Sequence, residues 1–283
     1  MAMAPDDGTL DAETAAAALL WWTATGVGFT LNERPTDHFA APAPSIEGRP
    51  DRPLAVPAAP PALVRPPLAR LEPPALAGAS APTAAAELAA SAQDLSSLRA
   101  ALERFEGCAL KRTATQLVFS DGVPGSRVMF VGEGPGGDED RIGRPFVGRA
   151  GQLLDRMLSA IGLDRSRVYI ANVVPWRPPG NRTPTPEETQ ACLPFIKRQI
   201  DLADPEILVC LGALSAQTLL GVKSGITRAR GSWFSYQRED ERPIRALAML
   251  HPAYLLRQPS QKRAAWADMR ALAAALAGAP RPQ

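Results

Sequence analysis

Residues 128–136 read VMFVGEGPG, and this stretch decides the fold class of the chain. Four apolar residues predict a short buried strand, and the glycines after them predict a tight turn at its carboxyl end. Glycine has no Cβ, so the backbone of such a turn can approach a ligand closely. We therefore expect a ligand site where this strand ends.

Three further apolar runs, residues 168–174, 207–211 and 244–250, predict strands of the same kind. Helical patterns lie between them. Residues 153–161 place their apolar side chains on one face, and Thr185 and Pro186 read as the start of a second helix. A last helix is marked by apolar residues at Trp266, Met269, Leu272 and Leu276.

Strands that alternate with helices predict an α/β fold. We expect a three-layer α/β/α sandwich with a central four-stranded parallel sheet. The ligand site of such a sheet lies at the carboxyl ends of its strands, where the glycine turn begins.

The chain before this domain differs in composition. Residues 1–34 predict a short helical segment that carries Trp21 and Trp22 and that docks on its own domain or on a protein partner. Thirteen prolines fall between Pro35 and Pro82, among many alanines. Such a composition buries little apolar surface, so residues 35–94 predict a disordered linker and residues 95–283 the folded domain.

Charge is unevenly distributed between these parts. Residues 1–94 have a net charge of −6 and the remainder has a net charge of +8. A basic domain favours a nucleic-acid partner, because neutralised phosphates supply most of the sequence-independent affinity. No membrane-spanning apolar run is evident, and acidic residues precede the first apolar stretch, which predicts a cytoplasmic protein.

Gly132, Gly134 and Gly137 also satisfy the dinucleotide-binding pattern G-x-G-x-x-G. Pro135 interrupts that pattern, and residues 138–140 are all acidic where a pyrophosphate would need neutral or positive surroundings. We therefore disfavour nucleotide binding. The later block GRPFVGRAG, residues 143–151, places one aromatic ring among glycines and arginines, which indicates a pocket for a flat ring beside a polyanion.

Four segments resemble the type-4 uracil-DNA glycosylases. They are GEGPGGDED from Gly132, GRPFVGRAGQLLD from Gly143, YIANVVPWRPPGNRTPTPEE from Tyr169 and HPAYLLR from His251. The resemblance covers about residues 98–276. It implies a monomeric DNA-repair enzyme that hydrolyses the N-glycosidic bond of uracil in single- or double-stranded DNA, with other deaminated bases as further candidates.

The same resemblance implies roles for residues of the pocket. Phe146 stacks on the flipped base, and Asn172 reads uracil, because its amide can donate to O4 and accept from N3–H. Gly134 lies in the turn at the position where some relatives carry an aspartate base.

His251 is implied to donate to uracil O2 and so to stabilise the negative charge of the departing base. Glu133 and Glu139 remain alternatives for activating water, and one of them could instead cap the helix after the turn. For DNA binding, the resemblance implies a minor-groove loop and a basic loop, which supply Leu255, Leu256, Arg257, Arg177 and Arg182.

One part of the family pattern is broken. Type-4 enzymes hold a four-iron cluster on four cysteines, and only Cys108 and Cys192 match those positions here. Phe105 and Trp176 stand at the other two, and neither aromatic side chain can ligate iron. We expect no cluster and no other cofactor, with the two aromatics packed into that volume.

Two functions of other classes remain open at this point. One is a DNA-binding module without catalysis. The other is a protein that traps uracil-DNA covalently, as a divergent relative with an inserted basic loop does, although the spacing up to Thr183 is the ordinary one.

Overall fold

The structure, a computed structural model, describes residues 80–240 and 242–278. The predicted N-terminal helical segment, residues 1–34, and residues 35–79 of the predicted linker lie outside this range. No helix within it is long and apolar enough to cross a membrane.

The described elements alternate as an α/β fold. The strands are β1 (Asp121–Gly122), β2 (Val128–Gly132), β3 (Tyr169–Asn172), β4 (Ile207–Leu211), β5 (Trp233–Gln237) and β6 (Pro243–Met249). The helices are α1 (Ser80–Ser91), α2 (Leu95–Arg104), α3 (Gly137–Ile142), α4 (Arg149–Ser159), α5 (Pro186–Ala203), α6 (Ala213–Leu220), α7 (Ile226–Ala229), α8 (Pro252–Arg257) and α9 (Lys262–Leu276). Short 3-10 turns lie at Ala109–Arg112, Arg165–Arg167, Pro179–Asn181 and Pro259–Gln261.

The strands form one six-stranded sheet in the order β1-β3-β2-β4-β6-β5. The four central strands are parallel, as predicted, and the outer strands β1 and β5 are antiparallel to their neighbours. The prediction of only four strands was wrong, because the two edge strands lack a long apolar run. β1 has two residues, and β5 has only one buried side chain, Tyr236.

Helices cover both faces of the sheet, so the predicted three-layer sandwich is confirmed. The side chains of β2 alternate between two cores: Met129 and Val131 pack on one side, and Val128 and Phe130 on the other. Buried residues of α1, α2, α5 and α6 belong to the first core. Buried residues of α4 and α9 belong to the second.

The predicted linker boundary at residue 94 was wrong, because α1 lies inside it. Ala85, Ala89 and Ala92 are buried in the first core, and the Arg198 guanidinium of α5 donates to the Ala92 carbonyl at 2.7 and 3.1 Å. Alanine contributes little hydrophobicity to a composition count, yet its small side chain lets α1 pack closely on α5. The folded domain therefore includes at least residue 80.

The sequence signals predict where a helix begins better than they predict which of its side chains are buried. Thr185 caps α5, as predicted, by accepting from the Glu188 amide at 3.2 Å. In α9, the last helix that the sequence predicted, Met269 and Leu272 lie on the buried face, whereas Trp266 is 44% exposed. The centre of that face lies at Ala265 and Met269, and Trp266 is rotated about 100° away from Ala265.

Candidate active site

A pocket of about 420 Å³ opens at the carboxyl edge of the parallel strands. The turn after β2, the end of β3 and the segment after β6 all contribute to its wall. The residues that line it are Glu133, Gly134, Pro135, Gly136, Glu139, Phe146, Ala150, Asn172, Pro178, Asn181, Arg182, Thr183, Pro184, His251, Ala253 and Arg257. Every residue that the sequence assigned to base binding or catalysis is among them.

Phe146 forms part of the pocket wall. Its side chain is 4% exposed, and its ring stacks on the His251 ring with centroids 5.4 Å apart and planes inclined by 28°. Its backbone has a φ of +55°, which non-glycine residues rarely adopt. A Cβ on Gly132 would lie 2.6 Å from the Phe146 ring, so glycine at the end of β2 is needed to leave the ring its place.

The unusual backbone at Phe146 is held by a residue that the sequence did not reveal. Arg165 donates to the carbonyl oxygens of Phe146 and, at 3.1 Å, of Pro145. Asp121 and Asp155 pair with the same guanidinium. The contact joins residues far apart in the chain, and no local pattern could have indicated it.

Asn172 ends β3 directly beside Gly132, its register partner on β2. The side chain is 5% exposed, and a Cβ on Gly132 would approach its Oδ1 to 2.5 Å. Its amide makes no hydrogen bond with any residue in the described ranges, and it faces the pocket. Both its donor and its acceptor are therefore free for a ligand.

His251, beside Phe146, offers a hydrogen-bond donor to the pocket. Its Nδ1 accepts from the Ala253 amide at 3.1 Å and caps α8. Burial and, to a smaller extent, the charge of Arg257 lower the pKa of His251 to about 4. The ring is therefore neutral near pH 7, and because Nδ1 is an acceptor, the proton resides on Nε2.

The two candidate bases, Glu133 and Glu139, differ in the hydrogen bonds that their carboxylates already accept. One carboxylate oxygen of Glu139 accepts from the Gly136 amide at 3.1 Å, and the other accepts from the amides of Val147 and Gly148 at 3.0 and 2.9 Å. Glu139 thereby fastens the glycine turn to the Phe146 loop. Burial raises the pKa of Glu133 against the opposing effects of a hydrogen bond to Thr183 and the Arg257 charge.

Two arginines of the predicted basic loop, Arg177 and Arg182, already contact other residues of the protein. Arg182 makes a forked ion pair with Glu188 at 2.7 and 2.8 Å, and Arg177 donates to the Asn181 side chain at 2.8 Å. Arg257 is exposed at the pocket rim. Arg182 and Arg257 line the pocket, whereas Arg177 does not and lies 3.9 Å from the buried Asp140 carboxylate.

Leu255 does not fit the role that the resemblance implied. It is 1% exposed and packs in a small core with Leu153 and Leu250. A side chain in that position cannot enter a DNA groove without unfolding the loop. Leu256 is partly exposed and remains the candidate for that contact.

The four positions for which the sequence resemblance implied iron ligands are all buried in the first core. They are Phe105, Cys108, Trp176 and Cys192. The two thiols share a hydrogen bond, which together with burial raises the pKa of Cys192. The Phe105 ring lies 5.0 Å from the Phe195 ring. Two thiols among aromatic rings do not fit a four-iron cluster, and the described part of the chain holds no group of three metal-ligating side chains.

Comparison with known proteins agrees with this geometry. The model of the uracil DNA glycosylase superfamily matches residues 119–270. A type-4 uracil-DNA glycosylase of Thermotoga maritima is 42% identical over 165 residues, which are 57% of this chain and 82% of the relative. A type-4 uracil-DNA glycosylase of Archaeoglobus fulgidus is 40% identical over 167 residues, 58% of this chain and 83% of the relative. The chain belongs to the uracil DNA glycosylase superfamily.

Proposed function

We propose that this chain is a DNA-repair glycosylase that hydrolyses the N-glycosidic bond of uracil in DNA and leaves an abasic site. The observation that carries the proposal is that Phe146, His251 and the free amide of Asn172 line one pocket. The Phe146 ring offers a surface on which a flat base can stack, and the amide provides the donor and acceptor that uracil requires.

Recognition follows from the hydrogen-bonding pattern of the base. The Asn172 amide donates to uracil O4 and accepts from N3–H. Cytosine carries an amino group at C4 and an unprotonated N3. The NH2 group of the Asn172 amide would then face another donor, and its oxygen would face another acceptor. Buried polar groups left unpaired in this way give strong discrimination.

Bond cleavage needs stabilisation of two developing charges. When the bond between the sugar C1′ and N1 breaks, its electron pair leaves with the base and accumulates on O2. The Nε2–H of neutral His251 donates to that oxygen. Water then adds to the cationic C1′, and its proton passes to the Glu133 carboxylate. Glu133 is the better candidate, because both oxygens of Glu139 already accept backbone amides.

Residues around the pocket rim are the candidates for DNA binding. We assign Arg257 and Arg177 to phosphates of the bound strand and Leu256 to the space left by the flipped base; the exposure of Arg257 at the pocket rim and the partial exposure of Leu256 support this. Arg182 acts mainly by holding the loop to α5 through Glu188.

The proposal includes no iron cluster and no other cofactor. Cys108 and Cys192 supply only two of the four thiolates, and the other two positions, Phe105 and Trp176, are buried apolar side chains of the same core. The base, the sugar and water are then the only reactants, and the chain's own side chains perform each step.

An end-labelled oligonucleotide with a single uracil tests the proposal. Incubation followed by alkali should break the strand at the uracil position, in single- and double-stranded DNA, and an otherwise identical oligonucleotide with cytosine should stay intact. Intact uracil-DNA with retained binding would indicate a non-catalytic module. An adduct that survives boiling on a denaturing gel would indicate covalent trapping instead of hydrolysis.

A further inference from the structure

The outer side of α9 is basic and carries an exposed tryptophan. Its exposed large side chains are Lys262, Arg263, Trp266 and Arg270, which we call the α9 face. Trp266 is the most exposed large apolar side chain of this helix, although burying an indole is strongly favourable. Within the described part of the chain, none of the three cations takes part in an ion pair.

No acidic side chain of α9 itself offsets the charge of the α9 face. The only acidic residue of α9 is Asp268, which is 1% exposed and points to the other side of the helix. It is bound by the Arg230 guanidinium, whose Nε donates to it at 2.8 Å. The α9 face therefore carries three positive charges and no negative charge.

The direction of α9 places this face beside the pocket. Arg127, which immediately precedes β2, donates to the carbonyl of Leu276 at 3.1 Å, so α9 ends at the amino edge of the sheet. A helix of 15 residues is about 22 Å long. Its first residue, Lys262, therefore lies towards the carboxyl edge, and it follows the pocket residue Arg257 by one short turn, Pro259–Gln261.

We propose that the α9 face is a second DNA-contacting surface, which holds the strand that flanks the flipped nucleotide. Lys262 and Arg263 would neutralise phosphates, and the Trp266 ring would pack on a sugar or an unstacked base. The inference rests on the proposed function, because it takes the DNA to be bound at the neighbouring pocket. Charge complementarity and continuity with the pocket rim favour DNA over a protein partner.

Equilibrium binding of the full chain tests this surface. The probe is a fluorescent duplex whose uracil nucleotide carries a 2′-fluoro group to resist hydrolysis, and its affinity is measured over a series of salt concentrations. The double variant Lys262→Ala/Arg263→Ala should bind more weakly, with a salt slope smaller by about 2. Trp266→Ala should bind about tenfold more weakly with little change in slope, because stacking involves no counterion release.

Two controls make the comparison specific. Arg167 is an exposed arginine directly before β3, at the opposite edge of the sheet, and Arg167→Ala should leave affinity and salt slope unchanged. Arg270 lies two turns further along α9 than Lys262, so Arg270→Ala should lose less affinity than Lys262→Ala. The charge reversal Lys262→Glu should lose more.

Excision assays separate this inference from the proposed function. On an oligonucleotide too short to reach α9, the α9-face variants should excise uracil at the wild-type rate, and on a long duplex their kcat/KM should fall. Variants that match the wild type in both affinity and salt slope would overturn the inference, even if the enzyme is active. A wild-type protein that excises nothing would overturn the proposed function, while the binding measurements would still decide whether α9 contacts DNA.

Discussion

The base slot, formed by Phe146, His251 and Asn172, and the aromatic core, formed by Phe105, Trp176, Cys108 and Cys192, are built in opposite ways. In the slot, polar groups lie in or near the interior with donors and acceptors left free for a ligand. In the aromatic core, apolar rings stand at two of the four positions for which the sequence resemblance implied iron ligands.

The difference indicates which kind of site tolerates replacement of its residues by apolar side chains. A structural metal site mainly links chain segments, and close-packed aromatic side chains can do this through apolar burial. The slot needs a strained φ at Phe146, a missing Cβ at Gly132 and a fixed tautomer at His251 at the same time. Each requirement constrains the others, so we expect that one of these residues cannot be replaced without disturbing the other two.

The largest expected effect concerns the aromatic core. Phe105→Ala and Trp176→Ala should each lower the free energy of unfolding by about 3–5 kcal/mol, because each empties a buried aromatic volume. Urea denaturation followed by circular dichroism measures this, and Phe105→Leu should lose less. A cost below about 1 kcal/mol would mean that the core does not depend on these rings.

His251→Ala should have its effect on chemistry instead. Loss of a prearranged donor to uracil O2 should cost about 2.7–4 kcal/mol of transition-state stabilisation, or roughly 100- to 1,000-fold in the single-turnover rate. The unfolding free energy should change much less than in the aromatic-core variants. A folded variant that excises at the wild-type rate would assign the leaving-group role to another residue.

Arg165→Ala should disturb the slot without touching the base. Without the donor to its carbonyl, Phe146 can leave the left-handed conformation, and a misplacement of about 1 Å can cost about 100-fold in rate. Arg165→Lys should recover part of the loss, because one of the two carbonyl contacts can be retained. Arg167→Ala, two residues later, is the matched control and should behave as wild type.

The smallest effect is a shift in the pH profile. Glu133 must be ionised to accept a proton, and burial raises its pKa. As the pH is lowered, kcat/KM should therefore begin to fall at a pH above the ordinary pKa of a glutamate. His251 becomes protonated only near pH 4, which is further into the acid range. Glu133→Gln should therefore lower the rate and abolish the first acid limb. An unchanged limb in that variant would exclude Glu133 as the base.

The sequence predicted the central strands and the residues that meet at the pocket, for a physical reason. Buried parallel strands are continuous apolar runs, and the turn after each of them carries the ligand groups, so local patterns sufficed for β2, β3, β4 and β6. Edge strand β5 is half exposed, and α1 is buried through alanines, so neither has a strong apolar signal.

Other features depended on contacts between distant segments. Leu255 lies within a motif implied to contact DNA, yet packing against Leu153 and Leu250 buries it. Arg165 acts on Phe146 through backbone carbonyls, which any residue type could supply, so nothing in the sequence marks the pair. The exposure of Trp266 likewise depends on how α9 is rotated on the sheet.

The central claim is that the pocket of Phe146, Asn172 and His251 excises uracil without an iron cluster. The most direct test measures bound iron and the single-turnover rate of uracil excision on the same anaerobically purified preparation. We expect colourless protein with far less than stoichiometric iron, and an excision rate that a chelator does not change. Stoichiometric iron with a rate that follows the iron content, or no excision at all, would contradict the account.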